Sequence, residues 1–239
     1  MTPKIRSLSG AALMLVIIPI IAGLLACMPV PIGDPERSRV DPGLNGAWVL
    51  LSDSGLEVCQ FLPWDKRSWL MMGTGIEAGD EFEGELPEIE TPEDYAAALA
   101  NHSIGKDGIT ARSVAIYKVW LAKIGGESFM TWEALGRADK DGRTSPELWF
   151  VFKVTKNDAN QYELLMLNGE SDLFDDIPKP REYDGDDYAS DMRRKFERVI
   201  KRNVDNEELY AEGPFVLYPL SDDAQEGAFA LFSEVLGTE

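Results

Sequence analysis

Few residues of this chain have the types and the spacing that catalysis requires. His102 is the only histidine, so a multi-histidine metal site is excluded and any catalytic triad would depend on this one side chain. No Gly-x-Ser-x-Gly sequence is present to supply a nucleophilic serine. Asp139-Lys140-Asp141-Gly142 is a poor calcium loop, because the sixth position counted from Asp139 is Thr144 rather than glycine. The sequence therefore predicts a non-catalytic protein with no cofactor and no resident metal.

The first of the two cysteines closes a hydrophobic segment near the N-terminus. Lys4 and Arg6 precede an almost wholly apolar run from Ala11 to Ala26, and Cys27 follows at once. The run is too short to span a bilayer easily, and a short apolar run behind a basic start is typical of a cleaved targeting signal. We therefore expect residues 1–26 to be a signal peptide.

Leu24-Leu25-Ala26-Cys27 resembles the lipobox of bacterial lipoproteins. In that family a diacylglycerol is joined to the thiol of the cysteine, the peptide bond on the N-terminal side of the cysteine is then cut, and the new α-amino group is acylated. The resemblance implies cleavage after Ala26, lipidation of Cys27 and attachment to a membrane of the bacterial cell envelope. Met28 replaces the aspartate that signals inner-membrane retention in the enterobacterial branch, which favours the outer membrane, facing the periplasm. The alternative is an ordinary secretory peptide that ends at a chance cysteine.

The whole chain is strongly acidic. Its net charge is −19, and the predicted signal peptide carries two bases and no acids, so the mature chain would be more acidic still. Nucleic acid would be repelled, which excludes it as a partner. Unspecific adsorption to an anionic bilayer is disfavoured as well, so membrane attachment would depend on the covalent anchor.

One predicted helix departs from this acidic character. Apolar residues recur at helical spacing from about residue 187 to residue 203, which predicts that Phe196 and Ile200 are buried. The same helix carries basic residues that are candidates for contact with a partner's acids or with anionic lipid headgroups. These candidates are Arg193, Arg194, Arg198 and Arg202. The sequence favours a competing interpretation, in which the bases pair with the chain's own acids.

Residues 27–42 differ in composition from the rest of the mature chain. Four prolines predict an extended conformation without regular hydrogen-bond ladders, so we expect a tether of roughly 40 Å. Residues 43–239 are predicted to form a single α+β domain. Apolar alternation and turn signals predict strands within 46–51, 56–62, 68–72, 109–124, 128–133, 148–154, 162–166 and 215–220. Helices are predicted from Pro92, over 187–203 and over 224–236, the last ending at Gly237.

Gly46-x-Trp48, at the start of this strand series, resembles the opening of lipocalins and other calycin barrels. In that family the glycine begins the first strand and the tryptophan closes the base of the barrel. Over most of its mature length the chain is also similar to uncharacterised bacterial lipoproteins with a small β-domain and a helical tail. We therefore expect an antiparallel meander sheet, either a partly closed barrel or a sandwich, with a C-terminal helical segment. Strands this rich in Trp, Phe, Met and Leu favour a filled interior over an open cavity.

Two functions are consistent with these features. The first is a membrane-anchored, non-catalytic envelope lipoprotein that binds a protein partner, as an accessory or assembly factor. The alternative is a lipocalin-like carrier whose sheet holds a small apolar ligand. The two differ in whether the sheet encloses an apolar volume.

Overall fold

The computed structural model describes residues 28–52, 55–83, 88–137, 149–177, 186–211 and 213–237. The strands in these ranges are β1 (Gly46–Ser52), β2 (Gly55–Pro63), β3 (Trp69–Thr74), β4 (Ile76–Ala78), β5 (Ile109–Ala111), β6 (Ala115–Ile124), β7 (Glu127–Arg137), β8 (Trp149–Lys156), β9 (Tyr162–Met166) and β10 (Phe215–Pro219). The α-helices are α1 (Pro92–Asn101), α2 (Asp186–Arg202) and α3 (Asp222–Leu236). Short 3-10 helices lie at Pro35–Arg37, Pro42–Leu44, Asp172–Phe174 and Glu207–Leu209. The predicted α+β class is confirmed.

Eight of the strands close an antiparallel barrel. Strands β1, β2 and β3 pair in succession, β3 pairs with β6, the meander continues to β10, and β10 returns to β1. Strands β4 and β5 pair only with each other, in a separate small sheet. Without that excursion the order around the barrel follows the order in the chain, which is the up-and-down arrangement. The predicted antiparallel meander is confirmed, and its closure is compatible with a lipocalin-like architecture.

Alternate residues of every barrel strand point inward and fill the interior. The buried members are Trp48, Leu50, Cys59, Phe61, Trp69, Met71, Val119, Met130, Trp132, Phe152, Tyr162, Leu164 and Leu217, with Leu44 below them. At the end of the barrel that we call the base, the indole N–H of Trp48 donates to the Leu44 carbonyl at 2.9 Å. Trp48 is thus buried at one end of the barrel, against Leu44.

Two further apolar clusters lie outside the barrel. Helices α1 and α3 cover the outer faces of β1, β2 and β3, and helix α2 covers those of β6, β7 and β8. The three α-helices begin and end close to the residues that the sequence predicted. Helix α1 starts with a reciprocal capping box between Thr91 and Asp94, and α3 ends at Gly237 in the left-handed conformation.

The expectation of a free tether over residues 27–42 is wrong for the part that the structure describes. Met28, Val30 and Ile32 are buried in the cluster beneath α2, and Ile32 is 0% exposed. The Met28 N–H donates to the Trp149 carbonyl at 2.9 Å. A proline-rich extended segment forms few backbone hydrogen bonds, but its alternate residues can still bury one apolar face.

The predicted strand over 109–124 is in fact two strands. Residues 109–111 form β5 and pair with β4, whereas residues 115–124 form β6 and join the barrel. The division arises because the chain changes sheets between them. The Arg112 N–H bonds the Gly75 carbonyl at 3.0 Å, and Val114 is buried where the barrel begins.

Replacement of Trp48 by alanine is expected to lower the free energy of unfolding by about 3–5 kcal/mol, because it removes a buried aromatic and leaves a cavity at the base. Trp64→Ala is the matched control. Its side chain is 57% exposed, so we expect a change within about 0.5 kcal/mol. Both changes are measured by denaturant unfolding of the chain that lacks residues 1–26, which we call the soluble chain. Equal midpoints for the two variants would contradict the filled base.

Candidate functional site

Helix α2 carries the predicted contact residues, and its docking determines which of them are available. Met192, Phe196 and Ile200 are buried against the outer face of the barrel. The rings of Phe174 and Phe196 lie 5.0 Å apart between centroids. The burial of Phe196 and Ile200 agrees with the amphipathic pattern, so the remaining side of the helix faces outward.

Arg193 makes an internal contact instead of joining that outward side. Its guanidinium Nη1 donates to the Gly33 carbonyl at 3.1 Å, and Glu197 Oε1 accepts from the Gly33 N–H at 3.1 Å. Gly33 has a φ of +76°, and a Cβ at this position would lie 2.4 Å from Ala122 Cβ. Only glycine fits at position 33. Through their hydrogen bonds to its backbone, Arg193 and Glu197 hold the N-terminal segment against α2.

Arg194, Arg198, Lys201 and Arg202 are exposed and form what we call the basic face. Arg194 donates to the Ser190 hydroxyl and Arg198 to the Arg194 carbonyl, so neither hydrogen bond neutralises a charge. Among the described residues, no acid lies within ion-pair distance of these four bases. Among the side chains of α2 that the structure describes, the expected pairing with the chain's own acids is found for Lys195, which contacts Asp191 at 2.9 Å and lowers the pKa of that carboxyl.

A groove of about 540 Å³ opens beside α2. One wall is the N-terminal segment from Gly33 to Arg39, and the other is the end of β6 from Leu121 to Ile124. Ser128 and Glu197 complete the lining. Its volume lies within the usual range of ligand pockets, about 300–1,000 Å³.

The groove and the basic face adjoin each other. The turn between β6 and β7 rests on α2, since a Cβ built on Gly125 would lie 3.6 Å from the Lys201 Cα. Glu197, which lines the groove, is one helical turn before Lys201 on the same side of α2. We treat the groove and the basic face together as the candidate site.

The charges that line the groove leave a positive excess. Two acids and three bases line it, so the net charge of the lining is +1: Asp34, Glu197, Arg37, Arg39 and Lys123. Asp34 contacts Arg37 at 3.4 Å, whereas Glu197 keeps its charge although it accepts a hydrogen bond from a backbone N–H. Arg39 and Lys123 are exposed and have no ion-pair partner among the described residues. In a chain of net charge −19, this is a local surface suited to an acidic partner.

The barrel interior offers less room for a ligand. The rings of Trp132 and Phe152 lie 4.6 Å apart, and those of Phe152 and Phe215 lie 5.5 Å apart. The buried indole N–H of Trp132 makes no hydrogen bond to any residue that the structure describes, which leaves it free to bind a ligand atom. It lies away from the base, near the end of the barrel where Tyr117 and Phe150 are half-buried.

The other titratable candidates are accounted for by the fold. His102 follows α1, and its Nδ1 lies 3.2 Å from the Ala98 carbonyl. Cys59 is buried in the barrel, and burial raises the pKa of its thiol well above the usual value, as expected for an inert thiol. Within the described ranges no group of three or more His, Cys, Asp or Glu side chains could hold a metal ion.

Two predicted positions, and the sequence that does not fit a calcium loop, lie outside the described residues. These are the cleavage position at Ala26, the lipidation position at Cys27 and the calcium-like sequence Asp139–Gly142. No helix in the described part of the chain is both long enough and apolar enough to cross a membrane.

Comparison with known proteins identifies no relative of this chain, since no protein-family model, curated protein or solved structure matches it.

The groove residues Ser38, Arg39 and Lys123 were not identified from the sequence. One signal was available, the alternation of Met28, Val30 and Ile32, which marks a segment with a buried face. The pairing of that segment with β6, about 90 residues later, depends on tertiary structure.

Proposed function

We propose that this chain is a lipid-anchored protein of the bacterial envelope whose barrel is a rigid scaffold for binding an acidic protein partner at the groove and the basic face. The observation that carries the proposal is a set of exposed bases in and beside one groove that have no acidic ion-pair partner among the residues that the structure describes. Arg39 and Lys123 line the groove, and Arg194 and Arg198 are exposed on the helix that supplies Glu197 to the lining, on a protein that is otherwise acidic. A surface of this kind guides acidic partners and rejects basic ones.

The anchor at Cys27 is supported by the lipobox sequence and has a geometric consequence. Cys27 is joined directly to Met28, whose N–H bonds the start of β8 at Trp149. A lipid on Cys27 would therefore hold that end of the barrel close to the bilayer with no spacer. The groove lies toward the other end of β7, the strand paired with β8. Its lining residue Ser128 is five residues along β7 from Glu133, the partner of Trp149, a distance of about 17 Å. The groove would face away from the membrane, toward the periplasm.

A lipocalin-like carrier is the second candidate, and the unbonded indole of Trp132 favours it. A ligand with a hydrogen-bond acceptor would satisfy that N–H, and the half-buried rings around it would contact an apolar body. The filled base supports the binding scaffold instead, because a bound apolar molecule would have to displace several aromatic rings.

The anchor is tested by Cys27→Ala. We expect the variant to lose fatty-acid labelling and to remain uncleaved or to be released in soluble form, because the thiol that would carry the diacylglycerol is removed. Cys59→Ala is the matched control and should keep the label, since that thiol is buried in the barrel. Full labelling of the Cys27 variant would contradict the anchor.

Partner binding is tested by photo-crosslinking in living cells. A photoreactive residue in place of Arg37, which lines the groove, should give a discrete protein adduct. The same residue at Phe229, which is 60% exposed on α3, is the positional control and should not give that adduct.

The double change Arg194→Glu and Arg198→Glu should abolish the Arg37 adduct while leaving the unfolding midpoint nearly unchanged. Exposed charges of this kind contribute roughly 0–1 kcal/mol each to stability, so loss of the adduct would report loss of binding. An adduct that survives the charge reversal, or one that forms equally at Phe229, would contradict the proposed site.

A further inference from the structure

Strand β6 continues beyond the strand that pairs with it on one side. Strand β3 pairs with residues 115–119 of β6, whereas β7 pairs with β6 as far as Ile124. Residues 120–124 are therefore paired on their β7 side only. Their other edge forms one wall of the groove.

The turn at the end of β6 determines which backbone groups point toward that edge. Gly125 and Gly126 make a two-residue turn with positive φ at both positions, so Ile124 and Glu127 are a hydrogen-bonded pair. Hydrogen-bonded and non-bonded pairs alternate in an antiparallel ladder, so the N–H and C=O groups of Lys123 and Leu121 point away from β7.

One observed hydrogen bond of β6 agrees with this alternation of hydrogen-bonded and non-bonded pairs. The Leu121 N–H, which points toward the groove, donates to the Ser38 hydroxyl at 3.0 Å. Ser38 is 7% exposed and occupies the place of a strand partner at this single group. The outward N–H and C=O of Lys123 and the C=O of Leu121 have no such partner within the described part of the chain. The groove therefore contains a short length of open strand edge.

We propose that the groove binds an extended acidic segment of the partner, which adds a strand to the open edge of β6 at Leu121 and Lys123. This inference rests on the proposed function and specifies the form in which the partner binds. Backbone hydrogen bonds to Lys123 and Leu121 would provide affinity. Arg39, Lys123 and the adjoining basic face would select acidic side chains.

The acidic character of the rest of the protein does not oppose this selection at physiological salt. The Debye length there is about 8 Å, so charges on other faces of the domain are largely screened at the groove. Among the charged side chains that line the groove, three are bases and two are acids, so the net charge of the lining is positive. Binding of an acidic segment should consequently weaken as salt is raised.

The test uses the soluble chain and a fluorescent nine-residue peptide of alternating Glu and Val. Two matched peptides are compared with it: one has Lys in place of Glu, and the other is N-methylated at its central amides. The Glu peptide should bind, and its binding should slow the hydrogen exchange of the Lys123 amide at least tenfold. The Lys peptide and the N-methylated peptide should each bind at least tenfold more weakly.

Protein variants separate charge from folding. The double change Arg39→Glu and Lys123→Glu should weaken binding of the Glu peptide at least tenfold, whereas Lys106→Glu, an exposed base elsewhere, should not. Unfolding midpoints of both variants verify that they are folded.

Equal binding of the Glu peptide and its N-methylated form, or binding without protection of Lys123, would overturn strand addition. No binding of the Glu peptide would also overturn it. In each case the crosslinking at Arg37 would still report independently on the proposed function.

Discussion

The insertion of residues 28–33 between helix α2 and the barrel is the constraint on which the rest of the architecture depends. The Ile32 carbonyl is buried and accepts two hydrogen bonds, from Trp120 Nε1 at 2.9 Å and from Thr131 Oγ1 at 2.7 Å. An unmatched buried carbonyl is costly, so these two donors fix the register of the segment on β6 and β7. The hydrogen bonds of Gly33 with Arg193 and Glu197 then join the segment to α2. One short stretch of chain thereby completes the outer apolar cluster, builds a wall of the groove and sets the distance between the predicted anchor and the domain.

Because side chains fill the barrel interior, the candidate binding site lies on the surface of the domain. A small barrel can either close around side chains or leave space for a ligand, and here large aromatic residues from several strands meet in the interior. Their contacts give the scaffold stiffness, which keeps the end of β6 and the N-terminal segment at a fixed separation. Helix α2 supplies the charge beside them. In the proposed function, stability and recognition therefore depend on different layers of the molecule: the aromatic interior stabilises the fold, and the groove is the proposed binding site.

The strands and helices were largely predictable because each carries its own local signal. Apolar alternation marked the barrel strands, and the Thr91 capping box marked the start of α1. The prediction of a free tether is wrong because proline content does not prevent packing. The alternating apolar residues Met28 and Ile32 are buried against the domain. The groove was not predictable, since its walls are distant in sequence and the open edge at Lys123 follows from the register of three strands. Composition indicates an acidic domain, but only the packing shows which bases are left without partners.

Hydrogen exchange of the Met28 and Gly33 amides tests the central claim most directly, because both donate to groups of the folded domain. The Met28 amide bonds the Trp149 carbonyl, and the Gly33 amide bonds Glu197. In the soluble chain that lacks residues 1–26, both should exchange at least a hundredfold more slowly than in a short peptide of residues 27–34. Glu197→Ala should release the Gly33 amide while leaving the barrel amides protected. Peptide-like exchange at both positions in the unmodified domain would show that the segment is a free tether, and would contradict the packed N-terminus on which the groove depends.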